Sequence, residues 1–255
     1  MNIVMNERKY AESVLSGGNV DSGRNKLYTI GVVAKYYHAI GYNNREMKVA
    51  VGNLIKEKFP TASDKCTDSW VKKSLEIAKR YPLYEIDEIV ITKPEIALIN
   101  SLHSERFIDR NLKKFAFTLL CFAKFEGMKG VKECWVNTEW KQIFAAAGIK
   151  GMTVDKQCSM IYELYSSGYI DLNSKIKSHG IKVLGVRYGD TEIVVNNINE
   201  CGYVFEEYNG KKFVKCEKCG AMVPKTNGRV KYCHNCAVEI DREKARERMR
   251  KTIKI

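Results

Sequence analysis

The sequence predicts a mainly α protein with small β elements (α+β). Three observations lead to that class. Apolar residues recur at helical spacing along most of the 255-residue chain. The stretches with strand character are short and bounded by Gly or polar turn residues. Two Cys-x-x-Cys pairs close together, Cys216/Cys219 and Cys233/Cys236, mark a C-terminal segment too small for an apolar core of its own.

The first third reads as helices. Asn6 to Leu15 is a short helix, Ser16 to Asn25 a Gly- and Ser-containing linker, and Leu27 to Ile40 places Leu27, Ile30, Ala34 and Tyr37 on one face. A helix from Asn44 stops before Pro60, and another from about Thr67 to Arg80 turns Trp70, Leu75 and Ala78 inward until Tyr81 and Pro82 break it. Ile86 to Ile91 reads as a strand, with Glu85, Asp87 and Glu88 as a solvated edge, and Pro94 suits the first turn of a helix ending near Leu102.

In the middle of the chain, Arg106 to Lys124 repeats Leu112, Phe115, Ala116, Leu119, Leu120 and Ala123 at the spacing of a buried helix. A short apolar piece at Cys134 to Val136 follows, then a helix capped near Asn137 or Thr138 and closed by Gly148. A third helix from Thr153 to Ser167 ends at Gly168, and Tyr169–Leu172 and Ile181–Leu184 read as two strands around a polar bend at Lys175 to Gly180. Helix, strand, helix, helix, hairpin is the order of a winged-helix domain. That resemblance implies that the third helix faces DNA, with Val154, Cys158, Ile161 and Tyr165 inward and Thr153, Lys156, Gln157 and Met160 outward. Gln157 and Thr153 would then address base edges, and Lys175, Lys177, His179 and Lys182 would lie along the phosphate backbone. Lys156 is the helix's one cation, beside Asp155 and Glu163, so protein docking is an alternative use of the same fold.

At the C-terminal end the two pairs supply four thiolates, and thirteen residues separate Cys219 from Cys233. A two-residue gap lets both sulfurs of a pair reach one tetrahedral ion, for which Zn(II) is the expectation. Four protein thiolates leave no open position for water, so the expected ion is structural. Gly220 suits a tight turn, Val223 to Val230 reads as a hairpin bent at Asn227 and Gly228, and Cys233 to Lys251, free of Gly and Pro, reads as a helix. Knuckle, hairpin and helix are the order of a treble-clef zinc finger, and the spacing of the pairs resembles the first zinc module of nuclear receptors. His-Asn-His nucleases share the treble clef, but Ala221, Met222 and Val223 and the helix from Glu239 onward lack the histidine and asparagine their chemistry needs. The five remaining cysteines, Cys66, Cys121, Cys134, Cys158 and Cys201, read as small buried hydrophobes.

The composition bears on function. The chain has 43 Lys+Arg against 30 Asp+Glu, a formal charge of +13, with 45% hydrophobic and 10% aromatic residues. That excludes a disordered or fibrous chain and makes polyanions the leading class of partner. About half of the excess lies in residues 206–255, where Glu239, Glu243 and Glu247 stand three residues before Arg242, Arg246 and Arg250, at the spacing of helical ion pairs. Arg242, Arg246 and Arg250 are phosphate candidates, and the unpaired Lys225, Arg229, Lys231, Arg248, Lys251 and Lys254 are the better ones. No apolar run suits a membrane helix and the N-terminus carries charges where a signal peptide is apolar, so the expected location is the cytoplasm. No phosphate loop, dinucleotide fingerprint, zincin or nucleophile-elbow motif occurs, so an enzyme is not expected.

The organisation expected is a helical region over 1–92, the winged-helix-like domain over 93–198, a linker over 199–214 and the zinc finger over 215–255. The winged-helix-like middle together with the zinc finger and basic helix resembles uncharacterised proteins of phages and mobile elements of Gram-positive bacteria, through Leu112 to Ala123, Val136 and Asn137, Tyr169 and Ile170, and Tyr232 to Cys236, a likeness that covers part of the chain only. A likeness of that kind implies no settled activity. The expected function is non-enzymatic DNA binding in transcription or replication. The alternatives are an adaptor docking on host polymerase or replication machinery and a binder of structured RNA.

Overall fold

The computed structural model describes residues 3–18, 26–172, 180–225 and 230–253, with side chains to residue 249. The protein is mainly α with small β elements, as expected, and divides into two compact units. Unit 1 holds residues 1–89 and 124–133; unit 2 holds residues 90–123 and 134–255.

Unit 1 is built on four helices: α1 (Glu7–Leu15), α2 (Lys26–Ala39), α3 (Asn44–Lys58) and α4 (Asp64–Arg80). Asn6 caps α1 by accepting the Lys9 N–H, and Asn43 with Glu46 forms a reciprocal capping box on α3. Helix α4 starts three residues before the expected Thr67 because the hydroxyl of Ser63 accepts the Cys66 N–H and begins the helix there. Helix α2 is the centre of the unit. Seven consecutive residues, 29–35, are buried, so it has no exposed face over two turns. Ile30 and Ala34 pack with Val51, Ile55, Val71 and Ala78 on one side, and Val32 and Val33 with Ala11, Val14 and Leu54 on the other.

This all-round burial brings a cation into the core. Lys35 is 5% exposed and forms an ion pair with Glu7, which is equally buried. The Glu7 carboxylate also accepts the Tyr84 N–H at 2.9 Å, and the Lys35 ammonium sits 4.6 Å from the Tyr84 ring centroid. Burial lowers the Lys35 pKa, while Glu7 opposes that shift. The acids expected to be a solvated edge tie the segment after α4 to α1. Glu85 binds Arg8 through two oxygens at 2.8 and 2.9 Å, and Asp87 accepts from Lys9 at 2.7 Å and Asn6 at 2.8 Å.

Unit 2 begins with β1 (Ile89–Thr92), α5 (Lys93–Ser101) and α6 (Asp109–Met128), the last of which extends into the residues of unit 1. Next come β2 (Trp135–Val136), α7 (Trp140–Ala146), α8 (Val154–Ser166), β3 (Ile170–Leu172) and β4 (Ile181–Val183). The helix, strand, helix, helix, strand, strand order expected from the sequence is present. The three strands form an antiparallel sheet in the order β2-β4-β3, with Trp135 opposite Lys182 and Asp171 opposite the same lysine. The unit then adds β5 (Thr191–Val195), which pairs with β1, and α9 (Cys201–Tyr208).

Residues 114–123 of α6 are all buried. Phe115 stacks on Phe144 of α7 at 4.3 Å, Phe117 packs on Phe205 of α9 at 5.0 Å, and the Tyr169 hydroxyl donates to the Ala116 carbonyl at 3.2 Å. The expected linker over 199–214 is therefore a correction: it holds α9, whose Cys201, Gly202, Phe205 and Glu206 are buried. Gly202 is required there, because a Cβ would meet the Ala147 carbonyl oxygen at 2.1 Å. The domain expected to begin at residue 93 also needs β1, the partner of β5.

Orientation in α8 differs from the expectation. Met160, Ile161 and Leu164 face the core, whereas Val154 is 69% and Tyr165 45% exposed and Cys158 is also at the surface. Two apolar stripes that share Ile161 run along this helix, and the core of unit 2 takes the one through Met160 and Leu164. Among the single cysteines, Cys121 and Cys201 are buried as expected and Cys134 is half-buried; Cys66 and Cys158 are exposed.

Removing one partner of the buried pair in unit 1 leaves an uncompensated charge. Lys35→Met or Glu7→Gln is expected to destabilise the protein by about 3–5 kcal/mol in denaturant titration. The double variant Glu7→Gln/Lys35→Met should lose much less than the sum. Equal, additive losses would show that the pair is not coupled.

Candidate metal centre and basic helix

The last elements are β6 (Phe213–Lys215), β7 (Met222–Pro224) and α10 (His234–Ile253). Strands β6 and β7 pair antiparallel, with Val214 opposite Val223, and carry the first cysteine pair in the turn between them. The ladder closes across Cys216 to Gly220, which the sequence reading did not give. The expected bend at Asn227 and Gly228 lies outside the described residues. Within the turn the Cys216 N–H donates to Ala221 O at 2.9 Å and the Gly220 N–H to Cys216 O at 2.8 Å. Gly220 has φ +72°, a left-handed conformation that glycine adopts without strain. The Met222 N–H donates to the Glu200 carboxylate at 2.8 Å, and Tyr203 packs on Phe213 at 5.4 Å, so α9 supports the module.

The second pair stands at the start of α10. Cys233 precedes its first residue and its carbonyl accepts the Ala237 N–H, while Cys236 lies in the first turn. The sulfurs of Cys216, Cys219, Cys233 and Cys236 all lie within 4.8 Å of one another, and those of Cys219 and Cys233 are 3.7 Å apart. Bonds of about 2.3 Å to a tetrahedral ion place thiolates about 3.8 Å apart, so the four side chains fit a metal ion. Among the described residues they are the one group of three or more potential ligands gathered in this way.

Electrostatics points the same way. Backbone N–H groups, that of Cys233 first, hold the Cys216 thiol down to about 6, whereas the Cys236 thiol is raised by its hydrogen bond to Cys233 and then by burial. Burial also raises the Cys219 thiol. The Cys216 thiolate forms readily, while Cys219 and Cys236 resist ionisation. A cation inside the group removes that conflict, and binding it releases the remaining protons.

Among the described residues, Glu239 and Glu243 of α10 pair off the helix rather than along it. Glu239 accepts from Lys218 at 3.0 Å and Glu243 lies 3.8 Å from the same ammonium. Lys218 sits between the first two cysteines, and the sequence reading missed it. Arg242 and Arg246, the expected partners of these two acids, make no ion pair among the described residues and are exposed. Residues 241–249 are all exposed. Lys231 lies 3.6 Å from Glu217, and Lys225 is exposed at the end of β7. Arg248 is also exposed. The side chains of Arg250 and Lys251 lie outside the described residues, as does all of Arg229.

The candidates in the middle of the chain are less well placed. Thr153 caps α8, its hydroxyl accepting the Lys156 N–H at 3.4 Å, and Gln157 is half-buried and donates to Met152 O at 3.2 Å. Lys156 is exposed. The Lys182 ammonium lies 5.9 Å from the Trp135 ring centroid. Lys175, Lys177 and His179 lie outside the described residues. Among the described residues, no helix is long and apolar enough to cross a membrane.

Compared with protein-family profiles, curated proteins and solved structures, the chain matches none.

Metal uptake is expected to release protons, so acidification should strip the ion. Full-length protein should bind one metal ion per chain at neutral pH, with affinity falling as pH falls, measured by a colorimetric chelator. Cys219→Ser should abolish that stoichiometry. Unchanged stoichiometry would mean that another group holds the metal.

Proposed function

We propose that the protein is a non-enzymatic duplex DNA-binding factor that acts in transcription or replication. Its C-terminal treble-clef module, folded around one structural Zn(II), supplies phosphate contacts. The observation that carries this reading is the diversion of Glu239 and Glu243 onto Lys218. A self-paired helix would cancel its own charge; here the acids secure the helix to the first cysteine pair and leave Arg242 and Arg246 exposed. A helix with an entirely solvated stretch at 241–249 has little tertiary packing there, and contact with a polyanion would supply what packing does not. Thiolate ligands and tetrahedral spacing favour zinc among the available cations.

The order and pairing of α6 through β4 support a winged-helix reading of the middle of unit 2. The likeness to phage and mobile-element proteins is compatible with an accessory factor in a bacterial host cytosol. A second reading, docking on host polymerase or replication machinery, is favoured by α8. Its outward side carries Val154, Cys158, Tyr162 and Tyr165, an apolar stripe better suited to a protein surface than to phosphates. DNA contact is thereby assigned to α10 rather than α8.

Zinc-loaded protein should bind a random-sequence duplex with an affinity that falls steeply with salt. Changing Arg242→Ala and Arg246→Ala should each lower the slope of log affinity against log salt by about 0.9 in fluorescence anisotropy. An A-form RNA duplex in parallel separates RNA from DNA. An unchanged slope in the double variant overturns the assignment to α10; a nuclease-resistant complex with polymerase that needs Tyr162 and Tyr165 supports the second reading.

A further inference from the structure

We infer that unit 2 carries a second anion site, for a phosphate group, between the end of α5, the first turns of α6 and the end of α9. A cavity of about 540 Å³ opens there, lined by Asn100, Arg110, Lys113, Glu206, Asn209 and Lys211, within the size range of small-ligand sites.

Its charge is out of balance. Glu206 is 5% exposed and holds three cations on one carboxylate. Arg110 lies at 2.9 Å and Lys114 at 3.3 Å from Oε1, and Lys211 at 2.8 Å from Oε2. These cations keep the Glu206 pKa below the usual carboxylate range despite its burial, so the group is charged at neutral pH. One carboxylate cannot neutralise three cations, and Lys113 joins Arg110 and Lys211 on the lining of the cavity, with Lys114 buried behind Glu206. Asp109 also lines the cavity, but its two oxygens are engaged by His103 at 2.9 Å and the Ser104 N–H at 3.0 Å. On the lining, Arg110, Lys113 and Lys211 outnumber Asp109 and Glu206 by one positive charge, and Lys114 behind Glu206 adds a second, enough to balance a phosphate monoester.

The donors are also arranged before any ligand arrives. Glu206 draws Arg110 and Lys211 together, so the repulsion between them is already offset in the folded protein. Arg110 engages Glu206 through Nη2 and is 54% exposed, and a guanidinium has further N–H groups for a second acceptor. Among the described residues, half-buried Lys113 and the Asn100 side chain make no hydrogen bond or ion pair. The positive end of the 20-residue α6 lies on the same side of the cavity, since Arg110 and Lys113 stand in its first two turns.

The phosphate has two sources of one chemistry: a small phosphate ester or the backbone of a nucleic acid. Pyrophosphate is the probe for the first and the random-sequence duplex for the second. Both are titrated against full-length wild type, Lys113→Ala, Arg110→Ala and the Arg242→Ala/Arg246→Ala variant. In the first case pyrophosphate raises the unfolding midpoint of wild type and binds Lys113→Ala about tenfold more weakly or worse. Arg242→Ala/Arg246→Ala then binds it as wild type does, which separates this site from α10. In the second case pyrophosphate is silent and Lys113→Ala weakens duplex binding at unchanged ligand-free stability. The proposal is overturned if neither ligand distinguishes Lys113→Ala and Arg110→Ala from wild type.

Discussion

Helix α6 has no side to give to water. Its residues 114–123 are buried without interruption, and a helix apolar on all faces must be enclosed by other elements. In unit 2 that enclosure comes from Phe144 on one flank, Phe205 on another and Tyr169 at the turn into β3. The positions of α7 and α9, and therefore of the C-terminal module that α9 supports, follow from packing against this one helix. The same physics recurs in unit 1, where α2 is enclosed over two turns and brings Lys35 into the core, to be matched by Glu7.

Buried helices force charges into company, and the acids decide which cations remain free to act. Glu7 and Glu206 each serve a buried lysine, but Glu206 is outnumbered, which turns a structural contact into an electropositive cavity. On α10 the arrangement is reversed: two acids share a single lysine, and the arginines meant to balance them stay in water. In both places the charge available to a partner is set by tertiary contacts rather than by composition.

The four cysteines join these themes. A module of two three-residue strands and one helix has little apolar area to bury, and close thiols repel once ionised. A cation would supply both missing quantities, cohesion and charge balance, and would hold the start of α10 where Lys218 meets Glu239.

Much of the molecule was legible in the chain. The extents of α1, α2 and α3, the existence and burial of α6, the strands β3 and β4, and the cysteine group follow from local rules: apolar period, caps, Gly and Pro, and a two-residue gap between ligands. These depend on neighbours a few residues away, which the sequence contains. What the tertiary structure alone decided involves distant partners. Helix α8 offers two apolar stripes of similar merit, and in the fold Met160 and Leu164 are buried while Val154 and Tyr165 stay at the surface. Residues 201–208, read as part of a linker, form a helix with one face buried, where Phe205 meets Phe117 and Glu206 meets Lys114. Glu239 had Arg242 within reach along the helix, yet Lys218, 21 positions away, lay closer in space. Spacing along a chain states which contacts are possible; packing determines which of the competing ones form.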